Sequence, residues 1–378
     1  MRILIFHNLL WSQYKSVIFE KLNEEICAKN DSELLVIQTS ITEKSRTDLV
    51  DFKLSDFPFK YPFKLISNKP LESVSHLKIF ISKIKYIITF KPDVVNFTGY
   101  NEPSTIILLI LCKILGIKSI ITNESIDKKH PVEGISKRIK SFYKVILFKL
   151  TDGFFSYGMQ SNEYLFKHGV PKSKILSFLN TFDKKKFIAS NDKITLSDKY
   201  LLFVGRLSSE KNLIELIRCF KNVHNCVKDL KLLIIGNGPE KEFLLNEISK
   251  LNLNNEVLLL GTIQWNLLSQ YYENAECLIL PSISETWGMV ANEAQELNLP
   301  VISTDNCGCS NDLILNNYSG LVLNGDLASD INVNLIIDYV INDKKQKLQK
   351  FISKNKSIFD LERLSFEMIK GFHYLLKK

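Results

Sequence analysis

At 378 residues, with 45% apolar and 24% charged side chains, the chain has the composition of a soluble globular protein, is long for a single core, and shows no disorder signature. Its net charge of +8 is unevenly held: residues 1–190 carry 29 Lys and Arg against 18 Asp and Glu, residues 191–378 only 20 against 23. No zinc-finger spacing, aromatic RNA-binding signature or basic recognition helix accompanies that charge, so the basic half points to an anionic membrane surface or an acidic acceptor before nucleic acid.

Met1 to Leu10 is apolar, but Arg2 leads directly into Ile-Leu-Ile-Phe and no small-residue cleavage site follows, so it reads as a first strand and not a signal peptide. Strand-like runs recur at Glu33 to Gln38, Asp93 to Thr98, Lys118 to Thr122 and Gly153 to Tyr157, with helical stretches such as Ser16 to Cys27 and Ser104 to Leu115 between them. A second series runs through Tyr200 to Val204, Lys231 to Ile235, Glu256 to Leu260, Cys277 to Leu280 and Val301 to Ser303. Alternation of this kind predicts an α/β protein with two doubly wound, Rossmann-like domains, 1–190 and 191–358, joined through the polar stretch Asp183 to Ser197. Residues 359–378 have helical periodicity. The run Ile106 to Cys112 is far short of the roughly 20 residues a membrane span needs. Seven scattered cysteines, among which Cys307-Gly-Cys309 has neither redox nor zinc spacing, predict a reduced cytosolic chain without a structural metal.

In the first half, His7 closes a strand and so belongs at the carboxyl edge where ligands of such sheets bind; it reads equally as a strand-end histidine needing one hydrogen bond. Phe57 to Lys64 interleaves aromatics, lysines and two prolines, which suits a bilayer interface or a loop folded back on the core. Lys128, Lys129, Lys137, Arg138, Lys140, Lys144 and Lys149 alternate with hydrophobics, as in an amphipathic or simply solvated helix. Asn123 and Glu124 end another strand, and Glu124 is open to a positioning or proton-accepting role or to that of a loop carboxylate.

Chemistry concentrates in the second half. Phe203-Val-Gly205-Arg206-Leu-Ser-Ser-Glu210-Lys211 ends a strand in glycine, where backbone can approach a ligand, and brings two cations to one turn. Ile234-Ile-Gly236-Asn-Gly238 and Gly261-Thr262-Ile263 follow the next two strands. Then comes Pro281-Ser-Ile-Ser-Glu285-Thr-Trp287-Gly288-Met289-Val290-Ala-Asn-Glu293, with a helix starting near Trp287 or Gly288 whose unpaired N–H groups and dipole invite a phosphate. Glu293 falls about 7 Å along that helix from Gly288, a suitable offset for a carboxylate on a ribose diol while the terminus holds a diphosphate.

These two stretches resemble the G-R-L-x-x-E-K and E-x7-E patterns of the retaining glycosyltransferases of family four, with Trp287 where an aromatic, often Phe, is usual. The resemblance is strong from about 200 to 325 and diffuse before 150. It implies a GT-B fold, two Rossmann-like domains facing a central cleft, with the last helix returning to the first domain and the acceptor bound there. It implies a metal-independent, retaining transferase using a nucleotide-diphosphate sugar as donor substrate and no cofactor. Arg206 and Lys211 would stabilise the leaving diphosphate, Glu285 face the sugar, and Glu293 the ribose. Gly288, Met289 and Val290 would meet the diphosphate through backbone, with Gly205 also at the donor and Ile263 near the base. Relatives often hold a histidine near Glu124 and a glycine-rich loop after the first strand, where this chain has Asn8-Leu-Leu-Trp-Ser-Gln-Tyr-Lys15. The expected partner is a glycan or lipid-linked acceptor in surface polysaccharide assembly, at the cytoplasmic face of a membrane whose anionic surface the basic half meets. A nucleotide-sugar epimerase of the same fold, or a non-catalytic nucleotide-sugar-binding subunit, is the alternative.

Overall fold

The structure, a computed structural model, describes residues 1–10, 13–28, 32–44, 59–100, 102–127, 135–178, 180–187, 199–314, 318–355 and 360–377. The chain divides into two compact units, Met1–Phe182 with Asp360–Lys378, and Asp183–Phe359. The division falls at the start of the polar joint, of which residues 188–198 lie outside the described residues.

The first unit runs β1 (Arg2–Leu9), α1 (Gln13–Cys27), β2 (Glu33–Ser40), β3 (Phe63–Leu65), α2 (His76–Phe90), β4 (Val94–Thr98), α3 (Thr105–Ile114), β5 (Lys118–Asn123), α4 (Ile135–Leu150), β6 (Gly153–Tyr157), α5 (Gly158–Lys167) and β7 (Ile175–Phe178). Its strands form one parallel sheet, ordered β3-β2-β1-β4-β5-β6-β7. The central runs are apolar on both faces because helices cover both, which is why they read as continuous hydrophobic stretches. Beneath α2, α3, α4 and α5 lies one core cluster that includes Phe97, Leu108, Ile121, Phe148 and Leu165.

The second unit runs α6 (Lys184–Phe187), β8 (Lys199–Val204), α7 (Leu213–Cys226), β9 (Leu230–Ile235), α8 (Lys241–Lys250), β10 (Val257–Gly261), α9 (Trp265–Asn274), β11 (Cys277–Leu280), α10 (Met289–Glu296), β12 (Val301–Thr304), β13 (Gly320–Leu323), α11 (Asp330–Ile341) and α12 (Lys344–Asn355). Its parallel sheet has the order β10-β9-β8-β11-β12-β13, so strand order reverses between β8 and β11. A crevice for ligands opens beyond the carboxyl ends of strands at such a reversal.

α13 (Leu361–Leu376) belongs to the first unit, where it packs along α1. Two glycines permit the approach: a Cβ on Gly371 would lie 2.6 Å from Leu176, and one on Gly153 2.9 Å from Leu375. Ser365 donates a 2.5 Å hydrogen bond to Glu25 of α1.

The stretch Phe57 to Lys64, open between a bilayer interface and a loop folded back on the core, has Phe57 and Pro58 outside the described residues. In its described part, Tyr61 turns inward: it is buried, its ring meets Phe19, and its hydroxyl lies 3.3 Å from Ser16 and accepts from Gln38 at 3.2 Å. Phe63 and Lys64 form an edge strand.

Candidate functional site

The turns after β8 and β11 flank the strand reversal, and backbone hydrogen bonds hold them together. Gly205 N–H donates to Ile235 and Leu207 N–H to Asn237, so the turn after β8 continues alongside the turn after β9. Gly236 is required there: its φ is +141°, and a Cβ would lie 1.8 Å from the Gly205 carbonyl oxygen. A short 3-10 turn, Ser209–Lys211, follows, and Asn212 in the left-handed conformation starts α7. Ile283 N–H then donates to the Glu210 carbonyl at 3.0 Å, joining the turn after β11 to the turn after β8. Burial works against ionised Glu210, but the 2.6 Å hydrogen bond from Ser208 and the charges of Lys211 and Arg206 outweigh it, holding the carboxyl below its usual range.

The side chains of Lys211 and Glu285 form an ion pair across these two turns. Both are mostly buried, whereas Arg206 is exposed at the same turn. Glu285 is fixed by its own backbone: its N–H donates to Asn306, and its carbonyl accepts from Gly308 at 2.9 Å. A Cβ on Gly308 would sit 1.9 Å from the Thr286 carbonyl oxygen, so this contact depends on glycine. Trp287 is an anchor, buried with its indole N–H donating to Asn292 at 2.7 Å. Gly288 takes φ +94° as the N-cap of α10, which begins at Met289. Met289 and Val290 are therefore the first two helical residues, whose N–H groups have no intrahelical acceptor and are the natural donors to an anion.

Further along α10, Glu293 is 1% exposed. Trp265 Nε1 donates to its Oε1 at 2.9 Å and Tyr272 Oη to its Oε2 at 2.7 Å. The carboxylate thus accepts from two donors of α9, one on each oxygen. Phe187 packs against both Trp265 and Tyr272. Ile263, half-buried, stands between β10 and α9.

In the first unit a polar cluster gathers at the carboxyl edge of the sheet. Lys15 of α1 pairs with Glu124 at 2.5 Å, lies 4.0 Å above the Tyr157 ring and reaches Asn180 at 3.5 Å. Burial pulls the Lys15 ammonium down, but Glu124 and Tyr157 outweigh it and hold the group above the usual lysine range. Burial likewise opposes the charge on Glu124, and Lys15 overcomes it, so the carboxyl stays below its usual value. Asn123 is spent inward, donating to Ser161 at 2.7 Å. His7 is buried beside the cluster with Nδ1 2.9 Å from Gln38 Oε1, its cross-strand neighbour. Burial lowers its pKa to about 4, against the opposing effect of Gln38.

Residues 183–358 match the family described as glycosyl transferases group 1. The second unit is a group 1 glycosyltransferase domain. An uncharacterized glycosyltransferase of Methanocaldococcus jannaschii is 29% identical over 320 residues, 80% of this chain and 70% of that protein. The N-acetylgalactosamine-N,N'-diacetylbacillosaminyl-diphospho-undecaprenol 4-alpha-N-acetylgalactosaminyltransferase of Campylobacter jejuni is 32% identical over 186 residues, about half of each chain (49% and 48%). Among solved structures, Anabaena HepE in complex with UDP and glucose superposes with a TM-score of 0.74 at 15% identity, covering 99% of this chain and all of that one. Such a likeness establishes the fold, GT-B with two Rossmann-like units.

Within the group 1 domain, the structure brings Gly205, Arg206, Lys211, Glu285, Gly288, Met289 and Val290 to the strand reversal, and it puts Glu293 on the same helix as Met289. Glu124 lies in the first unit, paired with Lys15. Sequence reasoning missed three partners: Trp265 and Tyr272, which hold Glu293, and Lys15, which holds Glu124. Lys15 ends the segment that replaces the glycine-rich loop, and that departure was the available signal. No short-range pattern marks Trp265 or Tyr272 as partners of a residue on the next helix.

Proposed function

We propose that the chain is a metal-independent, retaining glycosyltransferase that moves a sugar from a nucleotide-diphosphate sugar to a glycan or lipid-linked acceptor in surface polysaccharide assembly. The observation that carries this reading is the meeting of Lys211 with Glu285 beside the N-terminus of α10. As the glycosidic bond to the donor breaks, positive charge grows at the anomeric carbon and negative charge on the diphosphate. Fixed cations and backbone N–H groups at the diphosphate stabilise that distribution more than they stabilise the ground state. Arg206, Lys211 and the first N–H groups of α10 are those donors. Glu285, held in place by Lys211, orients the sugar hydroxyls, and Glu293 accepts from the ribose diol while Trp265 and Tyr272 fix its rotamer. Glu124, held by Lys15, serves the acceptor side. The lipid-linked acceptor class is supported by the undecaprenol-linked substrate in the name of the Campylobacter relative and by the basic first half.

Thermal shift against a panel of nucleotide-sugars tests the donor, because a ligand that binds only the folded protein raises its melting temperature. A transfer assay with the stabilising donor follows, and the anomeric configuration of the product decides retention. Absence of stabilisation by every nucleotide-sugar would overturn the proposal.

A further inference from the structure

The helices α2, α3 and α4 form one layer over the first sheet: α3 packs against both neighbours, and all three send residues into one core cluster. A surface helix normally turns charged or polar side chains outward. These do not. On α3, Ile107, Ile110 and Ile114 are 55%, 43% and 76% exposed, and on α2, Leu77, Ile81 and Ile88 are 64%, 56% and 53% exposed. Spacings of three, four and seven residues place each set along one side of its helix. Phe142 on α4 is 69% exposed as well. Apolar area on the order of several hundred Å² marks an interaction surface on a soluble protein.

Charge says what covers it. The three helices together contain nine Lys and Arg and not one Asp or Glu, whereas α1 of the same unit carries Glu20, Glu24 and Glu25. Lys78, Lys85 and Lys149 are exposed among the aliphatic side chains, as is Lys113, which pairs with Asp152 at 3.3 Å. A second copy of the chain meeting this face symmetrically would set the cations against themselves. Nucleic acid would satisfy the cations and leave the isoleucines in water. An anionic bilayer satisfies both, phosphates for the ammonium groups and acyl chains for the aliphatic ones.

We propose that the outer face of α2, α3 and α4 docks on the surface of an anionic lipid bilayer. The contact is peripheral: among the described residues no helix is long and apolar enough to cross a membrane. The proposal stands apart from the transferase reading, and its test needs neither donor nor acceptor.

The full chain is sedimented with phosphatidylcholine vesicles and with vesicles containing roughly one-third phosphatidylglycerol, at low and high salt. Binding is expected to the anionic vesicles alone and to weaken with salt. Ile107→Asp with Ile110→Asp, and separately Lys78→Gln with Lys85→Gln and Lys113→Gln, are each expected to weaken it about tenfold or more at unchanged melting temperature. Phe243→Asp, at a 65% exposed position on α8 of the other unit, is expected to change nothing. Lack of binding to anionic vesicles at low salt overturns the proposal. So does undiminished binding by both sets of variants, an equal loss with Phe243→Asp, or a dimer that the isoleucine variants dissolve while vesicles are ignored.

Discussion

Tyr272 donates a 2.7 Å hydrogen bond to Glu293 from a side chain with no exposed surface, and Trp265 takes the other carboxylate oxygen at 2.9 Å. Glu293 therefore enters any encounter with a nucleotide already oriented. Glu293→Gln is expected to weaken binding of the bare nucleoside diphosphate, and Tyr272→Phe to weaken it in the same direction by freeing the carboxylate to rotate. Glu285→Gln is expected to leave that affinity nearly unchanged while transfer collapses, because its partner is the sugar. Calorimetry with UDP, GDP and ADP separates the two glutamates, and equal losses in both variants would count against the division of roles.

The cations at the turn after β8 give the second expectation. Arg206→Ala and Lys211→Ala are each expected to lower turnover by two or more orders of magnitude, on the order of 3 kcal/mol of transition-state stabilisation, with the fold intact. Lys211→Ala has a further consequence, since it leaves the mostly buried Glu285 carboxylate without its counterion. Lys211→Ala with Glu285→Gln removes that penalty, so the double variant is expected to melt above the Lys211→Ala single while staying inactive. Near-normal turnover in both single variants would remove these residues from the mechanism.

The sequence was most legible where strands are apolar on both faces and end in glycine. β8, β9 and β11, the start of α10 at Gly288 and the two motif turns could all be read from it, because buried parallel strands and positive-φ glycines leave local marks. Short edge strands did not: β3 and β13 hold three and four residues, too few for a period. α2 escaped for another reason: Leu77, Ile81 and Ile88 are exposed while Lys83 is buried, so polarity does not cleanly divide its two faces. Within the site, Arg206, Lys211 and Glu285 were legible as residues, but the ion pair spans two turns far apart in sequence and only the fold brings it together.

Gly236 links backbone sterics to the site. With φ at +141° and a Cβ position 1.8 Å from the Gly205 carbonyl oxygen, Gly236→Ala must push the turn after β8 away from the turn after β9. The expected cost is on the order of 2 kcal/mol in stability, with donor affinity falling as Arg206 and Lys211 shift. Gly325→Ala serves as the control: its φ is +72°, but nothing lies within 4 Å of the added Cβ, so it strains the backbone without touching the site. Urea denaturation and nucleotide calorimetry on both variants check this; equal nucleotide affinities would uncouple the turn from the site.

His7 makes the fold sensitive to mild acid. Its ring is buried against Phe19 and bonded to Gln38, with Lys15 and Glu124 nearby, and burial brings its pKa from 6.5 to about 4. Between those values the unfolded chain binds a proton that the folded chain refuses, so the stability His7 confers is complete above about pH 6.5 and is lost as the pH falls toward 4. At 1.36 kcal/mol per pH unit the full loss is on the order of 3 kcal/mol. Glu124, whose carboxyl is held below its ordinary value of 4.5 by Lys15 against the pull of burial, loses its contribution from there downward, so its window meets that of His7 only at the acid end. His7→Gln is expected to flatten the dependence of the urea midpoint on pH between about 6.5 and 4 and to leave the steeper fall below that intact. An unchanged slope in that window would mean that His7 is protonated in the folded protein and that the Lys15 and Glu124 cluster accommodates its charge.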